Sequence, residues 1–296
     1  MATVVTVTAN PLLNFICEHR VEAGTVNRVP GCAVSAEGKG VNVARLMVAH
    51  GHHAIACGFA GGHTGALLTD TVAASGVAVA FTPTASRLRV GFQATPADDD
   101  HPTTLLEHGF ALTEAECAHL LDTVSAHLSQ ADLVIASGSV PDPIADGLYV
   151  ELLARCAAAK VPCWIDAYGP AMDAAVRCPN PPAVSKPNRQ EYGSSAHWDR
   201  VREVHLSDGG AGVEVHHPDG RFKVHPAPVT QVNPVGSGDC YLAGLAHGRL
   251  SNWPLERQLR YAAAAGAANA ARSDVAMIAP AEAEALVASV QIEALS

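Results

Sequence analysis

Apolar and polar positions along the chain follow two alternating spacings. Short β-branched or continuous apolar runs, typical of strands, occur at residues 3–8, 54–60, 77–81, 132–136, 161–165, 183–185, 203–206, 212–217 and 222–225. Apolar residues at helical spacing occupy residues 40–50, 64–75, 113–128, 144–160, 236–248, 254–272 and 281–289. Strands that alternate with helices in this way predict a layered α/β domain.

Two stretches depart from this alternation. Residues 14–35 and 87–93 have the pattern of extended β segments, and no helical pattern interrupts them. Together they predict a small sheet that flanks the main domain. The sequence contains neither an internal repeat nor a disordered linker, which favours one continuous domain over residues 1–296.

Composition narrows the classes of function. The 296 residues are 48% hydrophobic and 16% charged, and the formal net charge is −10. A chain of this kind buries a proper core, but it lacks the excess of basic charge that a nucleic acid or a membrane surface attracts. A small anionic substrate remains compatible, because it needs only a few local cations. We therefore expect neither a nucleic-acid partner nor a membrane partner.

Targeting and redox signals favour the cytoplasm. The first basic residue is Arg20, so the beginning of the sequence lacks the charged region of a signal peptide, and no apolar run reaches about 18 residues. The eight cysteines are scattered without a CxxC pair, which predicts reduced thiols. The 15 histidines form no zinc-binding pattern. We expect a cytoplasmic protein without a structural metal.

The strongest chemical signal is the sequence NPVGSGD at residues 233–239, which precedes an apolar helix. Glycines at such a junction let the backbone approach a ligand, and the free N–H groups of the helix start attract an anion. A carboxylate at this position repels an anion, so its presence there indicates a chemical role. The fitting task for Asp239 is to accept a proton from a hydroxyl during phosphoryl transfer. The structural alternative is a glycine-rich turn in which Asp239 only caps the helix.

A second signal is EGKGVN at residues 37–42, which also opens a helix. Gly38 and Gly40 permit a tight backbone, Lys39 supplies a point charge, and Asn42 is able to bind hydroxyl groups. A glycine loop with a solvated lysine is the alternative.

A third signal is NRQE at residues 188–191, directly after a buried strand. Asn188 and Glu191 fall on one face of the next helical turn, where they are able to hold the waters of a Mg²⁺ ion. A helix cap formed by Asn188 with Glu191 three residues later is the alternative.

In their order and context, these three segments resemble the signatures of the ribokinase-like (PfkB) carbohydrate kinases. GSGD at 236–239 is similar to the family's GAGD, EGKGVNVAR at 37–45 to GGKG-x-N-x-A-R, and NRQE at 188–191 to N-x-x-E. Smaller matches resemble the branch of 1-phosphofructokinase and tagatose-6-phosphate kinase: residues 8–14, 26–29, 86–87, 137–141 and 185–188. The resemblance extends from about residue 4 to residue 269.

The resemblance implies a fold and a catalytic centre. The fold would be a three-layer α/β/α arrangement with a mostly parallel central sheet and a small β lid, with lid segments at about 12–36 and 86–110. Asp239 would be the catalytic base, and the amides of Gly236, Ser237 and Gly238 would form an anion hole. The metal ligands would be Asn188 and Glu191, which would organise Mg²⁺.

The resemblance also implies two binding regions. Residues that would hold the sugar are Asn14, Arg28, Gly38, Lys39, Asn42, Arg87 and Ser139. Residues that would hold ATP are Lys186, Asn188, Ser207, Gly209, Gly212 and Asn269, the last of these near the adenine. Arg28 and Arg87 are the candidates for a phosphate already present on the substrate, because a guanidinium grips phosphate through a planar fork.

The sequence departs from the family pattern at several positions. Asn14 stands where the family has a sugar-contacting Asp, and Glu37 replaces the first glycine of GGKG. Arg89 stands where the branch often has Asn. The segment between Asn188 and Ser207 is about one helix shorter than the family pattern. Glu37 opposes phosphate binding if its carboxylate faces the sugar phosphate, and Arg89 is placed to offset it.

We therefore expect an ATP-dependent and Mg²⁺-dependent kinase of a phosphosugar of the fructose 1-phosphate, fructose 6-phosphate or tagatose 6-phosphate type. One alternative is a kinase of an unphosphorylated sugar or nucleoside, for which Glu37 and Asn14 would be signs. Another is a non-catalytic regulator that binds a sugar phosphate. The family often dimerises through the lid, so a homodimer is also expected.

Overall fold

The computed structural model describes residues 1–95, 103–193 and 196–295. Its strands are β1 (Thr3–Thr8), β2 (Leu12–Cys17), β3 (Ala33–Glu37), β4 (His53–Phe59), β5 (Ala78–Thr82), β6 (Val90–Ala94), β7 (Thr103–Leu106), β8 (Leu133–Ser137), β9 (Cys163–Asp166), β10 (Val184–Ser185), β11 (Glu203–Ser207), β12 (Val213–His217), β13 (Gly220–His225) and β14 (Gln291–Leu295). Its α-helices are α1 (Lys39–Ala49), α2 (Gly62–Ala73), α3 (Glu114–Ser125), α4 (Leu148–Ala159), α5 (Gly169–Arg177), α6 (Arg189–Gly193), α7 (Ser237–Leu250), α8 (Leu255–Ala270) and α9 (Pro280–Leu286).

Within the described residues, ten strands form the central sheet in the order β14-β13-β12-β11-β10-β9-β8-β1-β4-β5. The strands from β11 to β5 pair in parallel, whereas β12, β13 and β14 are antiparallel additions at one edge. The predicted α/β fold with a mostly parallel sheet is confirmed. The last strand, β14, was not predicted, because the alternation in its five residues QIEAL is too short to stand out directly after the helical pattern of residues 281–289.

The central position of β1 in the sheet explains why its side chains are buried. The valines Val4, Val5 and Val7 of β1 are at most 1% exposed, because β1 lies between β4 and β8 and has helices on both faces. Helices α1, α7, α8 and α9 contact one another in sequence, and helices α3, α4 and α5 form a second contacting group. The crossovers β1–α1–β4 and β8–α4–β9 run in opposite directions along the sheet. Right-handed connections therefore place the two helix groups on opposite faces, which gives three layers.

The parallel strands bring polar side chains to one edge of the sheet. Strands β1, β8, β9, β10 and β11 end at Thr8, Ser137, Asp166, Ser185 and Ser207, respectively. Four of these, all except Ser207, carry a buried side-chain oxygen without a hydrogen-bond partner in the described part of the chain. Buried polar atoms are rarely left unpaired in proteins. Ligands of open α/β sheets bind outside this carboxyl edge, so the edge is where a site is expected.

A separate four-stranded sheet, which we call the lid, has the order β3-β2-β6-β7. Its strands lie in or next to the two predicted lid segments, 12–36 and 86–110, of which residues 96–102 lie outside the described residues. Strand β2 pairs antiparallel with β3 and parallel with β6. The lid therefore joins two distant parts of the sequence, as the two extended stretches predicted.

The prediction that all cysteines are reduced thiols is wrong for one pair. Cys17 and Cys32 form a disulfide with a Cα–Cα distance of 4.4 Å. The β2–β3 register places Ile16 opposite Ala33, so the next position of each strand brings the two sulfurs together. The other six cysteines are free, and five of them are buried. The pairing was missed because the lid hairpin, rather than a local CxxC motif, creates it.

Candidate active site

The start of helix α7 forms a tight backbone turn. Gly236 has φ = 84°, and a Cβ at this position would lie 2.8 Å from Cγ1 of Val275, so the turn requires glycine. Ser237 is the first residue of α7, and the amides of the first turn of a helix lack partners within the helix. In the predicted anion hole, the Ser237 amide already donates to the carbonyl of Pro234 at 3.1 Å, which leaves the amides of Gly236 and Gly238 as the candidate anion donors.

Asp239 lies in this first turn and is 5% exposed. Its Oδ2 accepts a hydrogen bond of 2.8 Å from Nδ2 of Asn42, a residue of α1 that is distant in sequence. Burial raises the pKa of Asp239 to about 6, while the Asn42 hydrogen bond and the charge of Lys39 act in the opposite direction. The carboxylate is therefore ionised at neutral pH and a stronger base than an exposed aspartate.

Two lysines converge on Asp166, a residue that the sequence did not single out. The Nζ of Lys39 lies 3.4 Å from Oδ2 of Asp166, and the Nζ of Lys186 lies 3.6 Å from the same oxygen. Asp166 is 1% exposed, and its other oxygen, Oδ1, has no partner among the described residues. One available signal was an acidic residue at the carboxyl end of a buried parallel strand. These two cations and one carboxylate lie beside Asp239 and contribute to its pKa.

Lys186 also touches the helix-start turn. A Cβ added to Gly238 would lie 2.8 Å from Nζ of Lys186, so the absence of a side chain at 238 lets the ammonium reach the backbone. Lys186 is 5% exposed. The ammonium and the α7 amides therefore face the same small volume, which is suited to an anion.

Asn188 and Glu191 cap helix α6 reciprocally. The backbone N–H of Asn188 donates to Oε2 of Glu191 at 2.8 Å, and the backbone N–H of Glu191 donates to Oδ1 of Asn188 at 2.8 Å. This is the helix cap that the sequence left open as the alternative to a metal motif. The Oε1 of Glu191 lies 3.7 Å from Nζ of Lys39, which directs the carboxylate toward the cleft.

The carboxylates of the cleft suit a divalent cation only in its hydrated form. Among residues 1–95, 103–193 and 196–295, no group of three or more His, Cys, Asp or Glu side chains is placed to hold a metal ion. Mg²⁺ in phosphoryl-transfer sites keeps several waters and uses only one or two carboxylates together with substrate phosphates. Glu191 and Asp166 flank the same Lys39 ammonium, and Asp166 Oδ1 is buried and unpartnered. These two carboxylates fit such a hydrated ion, with Asn188 holding Glu191 in place.

A cavity of about 490 Å³ adjoins the helix-start turn. Its lining includes the predicted nucleotide residues Lys186, Ser207, Gly209 and Gly212, as well as Tyr241 from α7. Gly212 has φ = 90°, and a Cβ there would lie 2.2 Å from the carbonyl oxygen of Val224. The volume suits a ligand of nucleotide size.

Asn269 does not reach this cavity. It is fully buried, its Nδ2 donates to the Val235 carbonyl and to Oγ of Ser237, and its Oδ1 accepts from the amide of Ala276. The adenine contact predicted for Asn269 is therefore not supported. The side chain instead fastens the loop that carries the helix-start turn to the end of α8.

The sugar-binding predictions divide into two groups. Asn42 and Lys39 contact Asp239 and Asp166, and Gly38, with φ = 146°, packs closely against Thr8. Ser139 accepts a hydrogen bond of 3.2 Å from Nδ2 of Asn10 at the same edge. These predicted residues therefore surround the cleft.

The lid arginines are placed differently. Arg87 makes a bidentate ion pair with Glu107, at 2.9 and 2.6 Å, and both side chains are substantially exposed. Arg28 is exposed in the loop between β2 and β3. A phosphate would have to compete with Glu107 for Arg87, whereas Arg28 is accessible without such competition.

Comparisons with known proteins identify the family and the fold of the chain. A family model described as pfkB family carbohydrate kinase matches residues 12–282. Phosphofructokinase-2 from Escherichia coli, solved with potassium, superposes with a TM-score of 0.89 at 24% identity over 97% of this chain and 99% of that chain. A provisionally named phosphofructokinase from Staphylococcus aureus gives 0.85 at 25% identity over 99% of both chains. A possible 1-phosphofructokinase from Thermotoga maritima gives 0.88 at 19% identity over 99% of this chain and 100% of that chain.

Proposed function

Because the chain belongs to the pfkB family of carbohydrate kinases, we propose that it transfers the γ-phosphoryl group of ATP to a hydroxyl of a phosphosugar. The transfer of phosphate to an alcohol group follows from the family. The donor nucleotide, the metal ion and the phosphosugar are our proposal. The observation that carries it is the buried Asp239 in the first turn of α7, beside the ammonium groups of Lys39 and Lys186.

Asp239 is placed to act as the general base. A pKa of about 6 leaves the carboxylate ionised at neutral pH yet basic enough to accept a proton as the sugar hydroxyl attacks. The Asn42 amide fixes one carboxylate oxygen, so the other is directed to the acceptor. Burial removes competing water from the same place.

The charge that develops during transfer is met by fixed groups. The amides of Gly236 and Gly238 and the ammonium of Lys186 lie at the start of α7, where we place the transferring phosphoryl group. The Ser237 amide instead donates to the carbonyl of Pro234. Lys39 bridges Asp166 and Glu191, the two carboxylates that would hold a hydrated Mg²⁺. When bound, that ion would neutralise phosphate charge and orient the ATP.

A phosphorylated acceptor is supported by the lid and by relatives. Arg28 is an exposed guanidinium at the lid, and Arg87 becomes available if its ion pair with Glu107 opens. Exposed ion pairs of this kind contribute only about 0–1 kcal/mol, so a phosphate competes effectively. Phosphofructokinase-2 from Escherichia coli was solved with fructose-6-phosphate, which makes that sugar a rational first substrate to test here.

A kinase of an unphosphorylated sugar is the second candidate. One observation favours it: Glu37 places a carboxylate at the junction of lid and cleft, where it repels a phosphate group. A sugar without phosphate experiences no such repulsion.

A substrate panel separates the two candidates. The panel contains fructose 1-phosphate, fructose 6-phosphate, tagatose 6-phosphate, fructose and ribose, each with ATP and Mg²⁺, and ADP release is measured. We expect kcat/KM to be highest for a phosphosugar. Higher kcat/KM for fructose or ribose would replace the proposal by the second candidate, and no turnover with any sugar would overturn both.

We also propose a homodimer formed through the lid. Val34, Phe92 and Leu105 are exposed large hydrophobic residues, and direct cross-strand pairing through Phe15 puts them on one face of the lid. Exposed apolar patches on a sheet mark association surfaces. A tetrameric inhibited form is known for the phosphofructokinase-2 of Escherichia coli. Sedimentation of the Phe92→Lys variant should give a monomer, and an unchanged mass would refute the lid interface.

We place the reaction in the cytoplasm, where ATP and phosphosugars are available to such a kinase. The six free cysteines, five of them buried, are compatible with that compartment, whereas the Cys17–Cys32 disulfide of the lid is uncommon there. In the described residues, no helix combines the length and apolarity needed to cross a membrane. Fractionation of cells that express the protein tests the location, and recovery outside the cytoplasm would contradict it.

A further inference from the structure

Two polar side chains meet where the lid joins the cleft. The Nδ2 of Asn14, on β2, donates to Oε1 of Glu37, on β3, at 2.8 Å. Asn14 is 1% exposed, and the pKa of Glu37 is raised because its carboxyl group is largely buried. Glu37 directly precedes Gly38 and the helix whose Asn42 holds Asp239. The pair therefore lies beside the predicted position of the acceptor sugar.

The pair offers acceptors rather than donors to a ligand. The Nδ2 of Asn14 is engaged by Glu37 and, at 3.5 Å, by Oε1 of Gln93. The Oδ1 of Asn14 is buried and has no hydrogen-bond partner within the described residues. A buried unpaired carbonyl oxygen next to a carboxylate is suited to accept hydrogen bonds from hydroxyl groups.

Two arginines near this pair, Arg89 and Arg45, leave it with hydrogen-bond acceptors for a ligand. The guanidinium of Arg89 donates to the backbone carbonyls of Asn10, Pro11, Glu107 and His108. The Nη1 of Arg45 donates to the carbonyl of Ala36. Both arginines moderate the charge of Glu37 from a distance, but their hydrogen bonds hold backbone in place. The Arg89 that was expected to offset Glu37 therefore contributes charge more than ligand contacts.

We propose that Asn14 and Glu37 form a specificity site that accepts free hydroxyl groups of the acceptor sugar and excludes a phosphate from that end. The enzyme then selects among isomeric phosphosugars by the position of their phosphate, which must lie away from this pair. A carboxylate repels a phosphate dianion, whereas it accepts strong hydrogen bonds from hydroxyls. This inference rests on the proposed phosphosugar kinase activity.

The test compares fructose 1-phosphate with fructose 6-phosphate, because the two differ in which end carries the phosphate. The ratio of their kcat/KM values is measured for the wild-type protein, for Glu37→Gln and for Glu22→Gln. Gln at 37 still accepts from Asn14 but presents an N–H to the ligand instead of a charge. Glu22 is an exposed lid-loop residue, so its variant controls for the loss of one negative charge.

We expect Glu37→Gln to raise the relative kcat/KM of the disfavoured isomer at least tenfold, and Glu22→Gln to leave the ratio unchanged. The double variant Asn14→Asp with Glu37→Gln exchanges amide and carboxylate within the pair. It should return the ratio toward the wild-type value, which a merely structural role of Glu37 would not produce. An unchanged ratio in a folded Glu37→Gln variant would overturn the inference.

Binding measurements separate this inference from the proposed function. Calorimetric Kd values of the two isomers are determined for the same variants without ATP. If neither isomer is phosphorylated, the kinase proposal for these sugars fails, and the ratio of Kd values still decides the role of the pair. A Kd ratio that Glu37→Gln shifts at least tenfold supports the pair, and an unshifted ratio rejects it.

Discussion

The floor of the cleft and the lid above it hold their charges in different ways. On the floor, Asp239, Asp166 and Lys186 are at most 5% exposed, and the Lys186 ammonium lies 3.6 Å from Asp166 and acts to lower the pKa of Asp239. On the lid, Arg87 and Glu107 form an ion pair that is open to solvent. Buried charges of this kind are fixed before a substrate arrives, while exposed pairs are able to exchange partners. We therefore assign the proposed chemistry to the floor and the proposed choice of substrate to the lid.

The most severe test of the floor is Asp239→Asn. Asn keeps the shape and still accepts from Asn42, but it cannot take up a proton, so turnover should fall by about 10³-fold. Steady-state ADP release with the best sugar of the panel measures the effect. Near-normal turnover would show that Asp239 only caps α7, which is the alternative left open by the sequence.

Stability supplies the control for this variant. The folded-state pKa of Asp239 is raised from 3.8 to about 6, so the folded protein binds the proton more tightly than the unfolded chain. Between these pH values and above them, the ionised carboxylate therefore destabilises the fold. Asp239→Asn should melt at the same temperature as the wild type at pH 7.5 or a few degrees above it. A large decrease would attribute the lost activity to unfolding.

The second test displaces the side chain of Lys186 by a substitution at the neighbouring Gly238. A methyl group in Gly238→Ala would meet Nζ of Lys186 at 2.8 Å and push this flexible end away from the α7 amides. Turnover should fall by about 10²-fold, as on removal of one donor from an oxyanion site. Gly210→Ala is the matched control, since Gly210 lines the same cavity and a Cβ there meets no atom within 4 Å. Equal activity of both variants would contradict the role of Lys186.

The sequence motifs indicated which residues lie on the floor of the cleft better than they indicated the contacts between those residues. The three motifs pointed to Asp239, Lys39, Asn42 and Glu191, because each motif sits at the start of a helix and has a local signature. The structure brings these residues together at the cleft. Asp166 was missed, since its importance comes from lysines that lie 127 and 20 positions away in the sequence. The bracing role of Asn269 likewise depends on the contact of α8 with the 235–237 loop. Tertiary contacts between distant segments leave no periodic trace in the sequence.

The sequence indicated which residues form the lid, but it did not predict how the strands of the lid pair. The two stretches of extended pattern located its strands, whereas the disulfide and the Asn14–Glu37 hydrogen bond follow from the β2–β3 register. Register depends on which hydrophobic positions face α2 and the core, and Leu13 and Ala36 are fully buried there. A sequence alone does not fix that choice for two short strands separated by a 15-residue loop.

The third test follows the pH dependence of the floor. Because Asp239 must be ionised to act as base, and burial raises its pKa to about 6, kcat/KM should decrease about tenfold per pH unit below pH 6. Above pH 7 the same profile should be flat as far as this residue is concerned. Rates from pH 5 to pH 8, with far-ultraviolet circular dichroism to verify folding, provide the measurement. A rate that stays constant down to pH 5 would contradict the raised pKa.

The smallest expected effect tests the lid through its disulfide. The bond between Cys17 and Cys32 closes the loop that carries Arg28, with a sequence separation of 15 residues. Its loss lets that loop sample more conformations, which binding of a phosphosugar must then reverse. In the Cys17→Ser/Cys32→Ser variant, KM for the phosphosugar should rise about threefold to tenfold, an ordering cost of about 0.5–1.5 kcal/mol.

The floor should not respond to the same change, because the hydrogen bonds and ion pairs that the side chains of Asp239, Lys186 and Asp166 make within the described residues join them to Asn42, Lys39 and one another rather than to the loop. We therefore expect kcat to stay within about twofold of the wild type. Dithiothreitol should reproduce the KM effect in the wild-type protein and have none in the double variant, and Cys117→Ser is the control for a free thiol outside the lid. A parallel fall in kcat would mean that the lid also sets the geometry of the catalytic floor, and the division between the two regions would fail.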